Sequence, residues 1–339
     1  VAKLPQLKVK DDNIEIAWCP YPGLNMVKKA WLCYNDVTPQ WFDDVWLNIY
    51  YQFFRKSGKK QLEWMLGNRQ QLQSWSKVLP ETTLIIPQPW YYSENLVMAI
   101  PLFLCQRNPV IHKYNFRLSI SDLLRMRVNQ QEVPVDPKYI EGYPNDGNIP
   151  APEMWGKYAY VDSDEVNFLL NTTDKLVYHI NDIVKVSSDE IINKNTNGIT
   201  VDLHTQEPCR AIFWVMENQE SHNRRLYSNY TTNDGENPTL SAKLMYGPNN
   251  RIAELNYNHF QYAESYYHFP RQPITNGYNV YSFSYQPSSI SNDIGVVFHG
   301  LNAKLSIKLR PSNSDYIPHI YCMVTREMNM NINLCTLSS

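Results

Sequence analysis

Short runs of alternating apolar and polar residues, broken by proline, asparagine and serine, dominate this chain. "YNVYSFSY" (278–285) sets Tyr281, Phe283 and Tyr285 on one face and Ser282 and Ser284 on the other. Pro287-Ser288-Ser289 breaks the run, and 296–298 begins another. Alternation at period two marks a half-buried strand, so Phe283 is expected between two sheets and the serines away from that core. Residues 13–18 behave likewise, with Ile14, Ile16 and Trp18 on one face and Pro20-Tyr21-Pro22-Gly23 as the stop; "MVKKAWLCYN" is a second strand. Helical spacing then intervenes. Thr38 as N-cap and Pro39 in the first turn open a helix with Phe42, Val45, Trp46, Ile49 and Phe53 on its apolar face. Asp43 and Asp44 suit its positive end, and Arg55, Lys56 and Gly58 its stop. A weaker helical segment covers 59–75, interrupted at Gly67.

After Pro80 the pattern returns to strands: "TTLIIPQPWYYS", "NLVMAIPLFLC", and "YNFRLSISDLLRM" with Phe116, Leu118 and Ile120 inward. Residues 130–152 read as a long surface loop, and "KYAYVDSDEVNFLL" as a strand followed by a short helical turn. Further on, strands are expected over 177–180, 199–203, 211–216, 240–245, 278–285, 296–298, 305–309 and 317–324, with long loops at 217–239 and 246–276. About eight short strands per half suit an all-β fold of two consecutive eight-stranded jelly rolls with short helices in the loops. The division falls at 1–172 and 173–339.

Composition narrows the function. The chain has 339 residues, 43% hydrophobic and 13% aromatic, enough for a sizeable core. A net charge of −2 argues against direct nucleic-acid binding, which calls for a basic excess. No secretory leader is read, and no apolar run approaches the ~20 residues of a membrane span. Cys19, Cys33, Cys105, Cys209, Cys322 and Cys335 are widely spaced and never form CxxC, so buried free thiols in a reducing compartment are expected. No phosphate-loop, dinucleotide, zincin or nucleophile-elbow motif occurs. Among the eight histidines, His259 and His268 are nine apart, outside ligand spacing, and His112 and His204 sit in or beside strands.

Asp43-Asp44, Asp162/Asp164/Glu165 and Asp189-Glu190 fit helix ends and turns rather than general acid–base work. Asn171-Thr172-Thr173 and Asn229-Tyr230-Thr231 match the glycosylation pattern by chance in an Asn-rich chain, and "RKSGKK" (55–60) reads as a helix C terminus. No catalytic, cofactor-binding or metal residue is assigned, and no cofactor is expected.

Ordered along the chain, these segments resemble the major capsid proteins of nucleocytoplasmic large DNA viruses, a double jelly-roll family. "GLNMVKKAWLCYNDVTPQWFDDVWLNIYYQFF" is similar to the family's strand followed by a Trp-containing helix, and Ala99-Ile100-Pro101-Leu102 and His112 stand at corresponding places. "GKYAYVDSDEV" resembles the strand closing the first roll, with Asp162, Asp164 and Glu165 in the acidic pattern. "GITVDLHTQEPCRAIFWVMEN" resembles a strand pair ending around Trp214. "YNVYSFSYQPSS" is similar to the family's Tyr-Ser-Phe signature, and Leu301–Leu305 to the strand after it. Departures are the family's entry strand and basic, Gly-containing turn, which are not evident ahead of Asn13, a chain short for the family, and 291–299 where the family carries Pro-Ser-Gly and Asn-Phe-Ser.

The resemblance implies a non-enzymatic protein of the virion capsid, assembled in the host cytoplasm. It further implies a homotrimer that forms a pseudo-hexagonal capsomer of an icosahedral shell. Neighbouring capsomers, minor capsid proteins and an inner viral membrane beneath the shell would be its partners. A scaffold or minor capsid component of the same fold is the alternative within the class; a jelly-roll carbohydrate-binding protein is the one outside it.

Overall fold

The computed structural model describes residues 1–55, 61–93, 96–172, 175–289, 295–331 and 335–338. The first half carries strands β1 (Ala2–Leu4), β2 (Leu7–Val9), β3 (Ile14–Trp18), β4 (Val27–Tyr34), β5 (Val37–Asp43) and β6 (Val78–Leu79). It continues with β7 (Thr82–Leu84), β8 (Val110–Phe116), β9 (Leu124–Val128), β10 (Gln131–Val133) and β11 (Ile140–Glu141). They pair antiparallel in small sheets ordered β1-β7, β11-β2-β6, β10-β9-β3 and β5-β4-β8. Ile14, Ile16 and Trp18 are buried, as their alternation requires, in a core with Leu4, Leu79 and Met126.

The second half is more regular. Its strands are β12 (Leu176–Lys185), β13 (Gly198–Asp202), β14 (Cys209–Asn218), β15 (Thr239–Tyr246), β16 (Asn249–Asn256), β17 (Asn279–Ser282), β18 (Ala303–Leu309) and β19 (Tyr316–Met330). They form two sheets ordered β12-β19-β14-β17 and β13-β18-β15-β16, with β20 (Cys335–Ser338) added to β19. From β12 to β19 successive strands change sheet except at the β15–β16 hairpin, the wrapping of a jelly roll. Trp214, Leu244, Leu305, Ile307 and Ile320 fill the space between the sheets.

β14 joins the halves. Every residue from Cys209 to Met216 is buried. Ile212, Trp214 and Met216 belong to the sandwich core. Ala211, Phe213 and Val215, on the other face, belong to a second core shared with β4 and helix α1 (Asp44–Phe54). The Phe213 ring lies 5.2 Å from Trp46, 5.4 Å from Phe53 and 5.8 Å from Phe54. A strand covered on both faces reads as a continuous apolar run, which is why "AIFWVM" lacks alternation.

Several expectations are corrected. Thr38-Pro39 opens no helix: 37–43 is β5, reached from β4 through a tight turn in which Asn35 has φ 51°. Pro39 is tolerated because β5 is an outer strand of its sheet. Helix α1 starts at Asp44, where the Asp43 side chain accepts from the Trp46 N–H at 2.8 Å. Val45, Trp46, Ile49 and Phe53 are buried on it as their spacing requires, whereas Phe42 belongs to the strand. The weak segment after it is two short helices, Gln61–Met65 and Gln70–Gln73, separated by Gly67 at φ 83°.

The run after Thr82 gives only β7 and single turns at Leu96–Met98 and Leu102–Leu104, because Pro87, Pro89 and Pro101 lack the N–H a ladder needs. Ile120 is buried, but at the start of a short helix (Ile120–Leu123). Residues 157–162 form no strand and lead into an exposed helix, α2 (Ser163–Thr172). The expected loop at 130–152 contains β10 and β11, and that at 246–276 contains β16 and helix α3 (Glu264–His268). Val296 makes one bridge with Cys209 instead of starting a strand, although Phe298 is buried.

The opening stretch is half as expected. Tyr281 and Phe283 pack into the sandwich, the Phe283 ring 5.5 Å from Phe298. Tyr285 is exposed, and Ser282 and Ser284 are buried. Arg210, itself buried, donates from Nη2 to Ser284 Oγ at 3.2 Å. Residues 291–294, within the stretch that departs from the family pattern, lie outside the described residues.

Candidate functional site

Ionisable side chains that are scattered in sequence meet where the halves join. A cavity of about 210 Å³ is lined by Asp43, Asp44 and Arg117 from the first half and Lys185, Glu217 and His319 from the second. Helix α1 brings Asp44 to Arg117, 2.7 Å away. Asp43, besides capping the helix, accepts from the Tyr321 hydroxyl at 2.8 Å, a bond that crosses between the halves. Burial, and then the neighbouring Asp44, push the Asp43 carboxyl upward. Lys185 pairs with Asp189. Glu217 on β14 meets His319 Nε2 at 2.7 Å and pairs with His222 through its other oxygen. Burial works to raise the Glu217 carboxyl, but the two histidines outweigh it and hold the group well below the usual carboxylate range. With each of these carboxylates engaged by a cation, a cap or a hydroxyl, the cavity acts as an electrostatic clasp rather than a reaction site.

The other sequence candidates have structural explanations. His259 and His268 flank Glu264, with Nε2–Oε distances of 3.1 and 3.9 Å. This grouping is local, Glu264 and His268 standing four residues apart on one helix face, whereas His319 reaches Glu217 from a distant part of the sequence. Among the described residues no group of three or more His, Cys, Asp or Glu side chains is arranged to hold a metal. His112 contacts the Tyr92 hydroxyl at 2.6 Å, and burial lowers its pKa; His204 is exposed. All six cysteines are free and buried, and burial pushes the Cys19 thiol up to about 12.

Asp162 Oδ1 accepts from the Glu165 N–H at 2.8 Å, at the start of α2. Asn229 is already engaged, donating to Ser221 Oγ and accepting from Thr231. Asn171 is exposed, but Thr173 of its pattern lies outside the described residues. So do residues 56–60 of the basic cluster, whose Arg55 pairs with Glu63. Among the described residues no helix is long and apolar enough to cross a membrane.

Exposed aromatic surface is the remaining feature. Tyr266, Tyr267, Ile274 and Tyr285 are exposed in the second half, and Met154, Trp155, Tyr158 and Tyr160 near the end of the first. Apolar exposure on this scale marks contact surfaces. Alternation in the sequence sets Tyr285 on the core face with Tyr281 and Phe283, whereas the structure leaves it exposed.

The model of the large eukaryotic DNA virus major capsid protein matches residues 172–317. The chain is 22% identical to the major capsid protein of frog virus 3, over 87% of this chain and 69% of that protein. It is 23% identical to the major capsid protein of lymphocystis disease virus 1, over 92% and 72%. Among solved structures, PBCV-1 VP54 superposes with a TM-score of 0.70 at 14% identity, over 99% of this chain and 88% of that one. The Faustovirus major capsid protein superposes with a TM-score of 0.66 at 10% identity, over 95% and 77%.

Proposed function

We propose that the chain is a member of the major capsid protein family of large eukaryotic DNA viruses, a structural rather than enzymatic protein, and that three copies form one pseudo-hexagonal capsomer of an icosahedral shell. In this reading the halves 1–172 and 173–339 are two jelly rolls. Three two-lobed subunits around an axis present six lobes, so one trimer fills a six-neighbour position in a facet.

One observation carries the reading: the two halves share a single buried aromatic core. Trp46, Phe53 and Phe54 of the first half pack on Phe213 and Tyr321 of the second. A tile must hold the angle between its lobes, and packed aromatic side chains do so without relying on a linker. Light scattering and negative-stain microscopy of the purified protein test the proposal. The expected result is a trimer with a hexagonal outline. A stable monomer at micromolar concentration would overturn it, and trimers that fail to tile would favour a scaffold role.

A further inference from the structure

Near the end of the first half, residues 154–161 run extended over the surface. The stretch is tied at its start, where the Glu153 N–H donates to the Val1 carbonyl at 2.8 Å, and runs at its other end into α2, which Asp162 caps. Among the described residues, no backbone group of 154–161 is hydrogen-bonded to another part of the chain. Its sequence, "MWGKYAYV", is rich in aromatic and apolar residues and has Lys157 as its one charge. Yet Trp155 is 76% exposed, Tyr158 73% and Tyr160 103%.

We propose that this connector is a docking strand, laid in the assembled capsomer against an unpaired sheet edge of a second copy of the chain. The inference rests on the trimer proposed above and names one of its contacts. Three rings of about 200 Å² each, exposed to this degree, present roughly 500 Å², with Met154 and Val161 adding more. That approaches the ~800 Å² each partner contributes to a standard interface. One lysine is too little basic charge to favour an anionic lipid surface. The lack of charge suits the centre of a protein interface, where aromatics are enriched.

The backbone points the same way. Amides covered by a neighbour must find partners, and an extended segment finds them most simply along a sheet edge. β13 and β16 end their sheet on either side and are largely exposed, so each subunit presents such edges. Because the connector is anchored at Glu153 and continues into α2, docking costs less ordering entropy than it would for a free tail.

Two measurements test the proposal. In the unmodified trimer, hydrogen exchange at 155–161 should be slower by at least about tenfold than in the protein diluted to monomer. The double variant Tyr158→Ser, Tyr160→Ser should be monomeric where the unmodified protein is trimeric. Its melting should match that of the unmodified monomer, because both side chains are exposed. Rapid exchange of the connector within an intact trimer would overturn the proposal and leave the capsomer standing, as would a double variant that still forms trimers. A monomeric unmodified protein would overturn both. If the double variant fails to fold, the exchange measurement alone decides.

Discussion

Replacing Phe213 with alanine tests whether the two halves form one cooperative unit. The ring is fully buried and lies within 5.8 Å, centroid to centroid, of Trp46, Phe53, Phe54 and Phe269. Truncating a buried Phe costs about 3–5 kcal/mol, and the lost edge-to-face pairs place Phe213→Ala near the upper end of that range. Unfolding entropy is about 2 cal/mol/K per residue. If all 339 residues unfold together, a loss of about 4 kcal/mol lowers Tm by about 6 °C. If the second half melted alone, with half the entropy, the same loss would lower its Tm by about 11 °C.

Calorimetry at fixed protein concentration distinguishes these cases, since assembly makes Tm concentration-dependent. We expect a single transition displaced by the smaller amount. Tyr267→Ala, at an exposed ring, should change stability by no more than about 0.5 kcal/mol. Two separate transitions in the unmodified protein, or a Phe213→Ala loss below about 1 kcal/mol, would refute the shared core.

Other outcomes follow from individual residues. Gly277 has φ 96°, and a Cβ there would lie 2.2 Å from the Tyr230 carbonyl oxygen. Gly277→Ala should therefore cost about 3 kcal/mol or more in denaturant melts, whereas Gly235→Ala, at φ 80° in open space, should cost about 1–2 kcal/mol. Burial pushes the Asp182 carboxyl up to about 7 despite Arg326 at 2.7 Å. The folded protein thus keeps a proton that the unfolded chain releases near its ordinary value of 3.8, so this group's contribution to stability falls as pH rises from about 4 to 7. Asp182→Asn should flatten that part of the profile, and an identical slope in both proteins would exclude the assignment. The six buried thiols should resist an aromatic disulfide reagent in the native protein and react on unfolding, and reducing agent should leave Tm unchanged.

Patterns set by neighbours in the chain were legible without the fold. Ile14, Ile16 and Trp18 alternate because one face of β3 is buried, and Val45, Trp46, Ile49 and Phe53 follow helical spacing because α1 offers that stripe to the core. The strand series of the second half and its likeness to a capsid family rest on the same local signals. Thr38-Pro39 misled because a threonine before a proline suits a helix start and an outer strand equally; its pairing with β4 decided the matter. The serines at 282 and 284 look solvent-facing by polarity, yet they are buried: the Ser282 hydroxyl donates to the Ser284 carbonyl, and Arg210, distant in sequence, donates to Ser284 Oγ. The Glu217 clasp was hidden for the same reason, since His222 and His319 reach it from different elements. Local periodicity tells which face of an element avoids water. Whether its other face meets water, the second half of the chain or another copy depends on contacts between distant residues, which only the tertiary structure establishes.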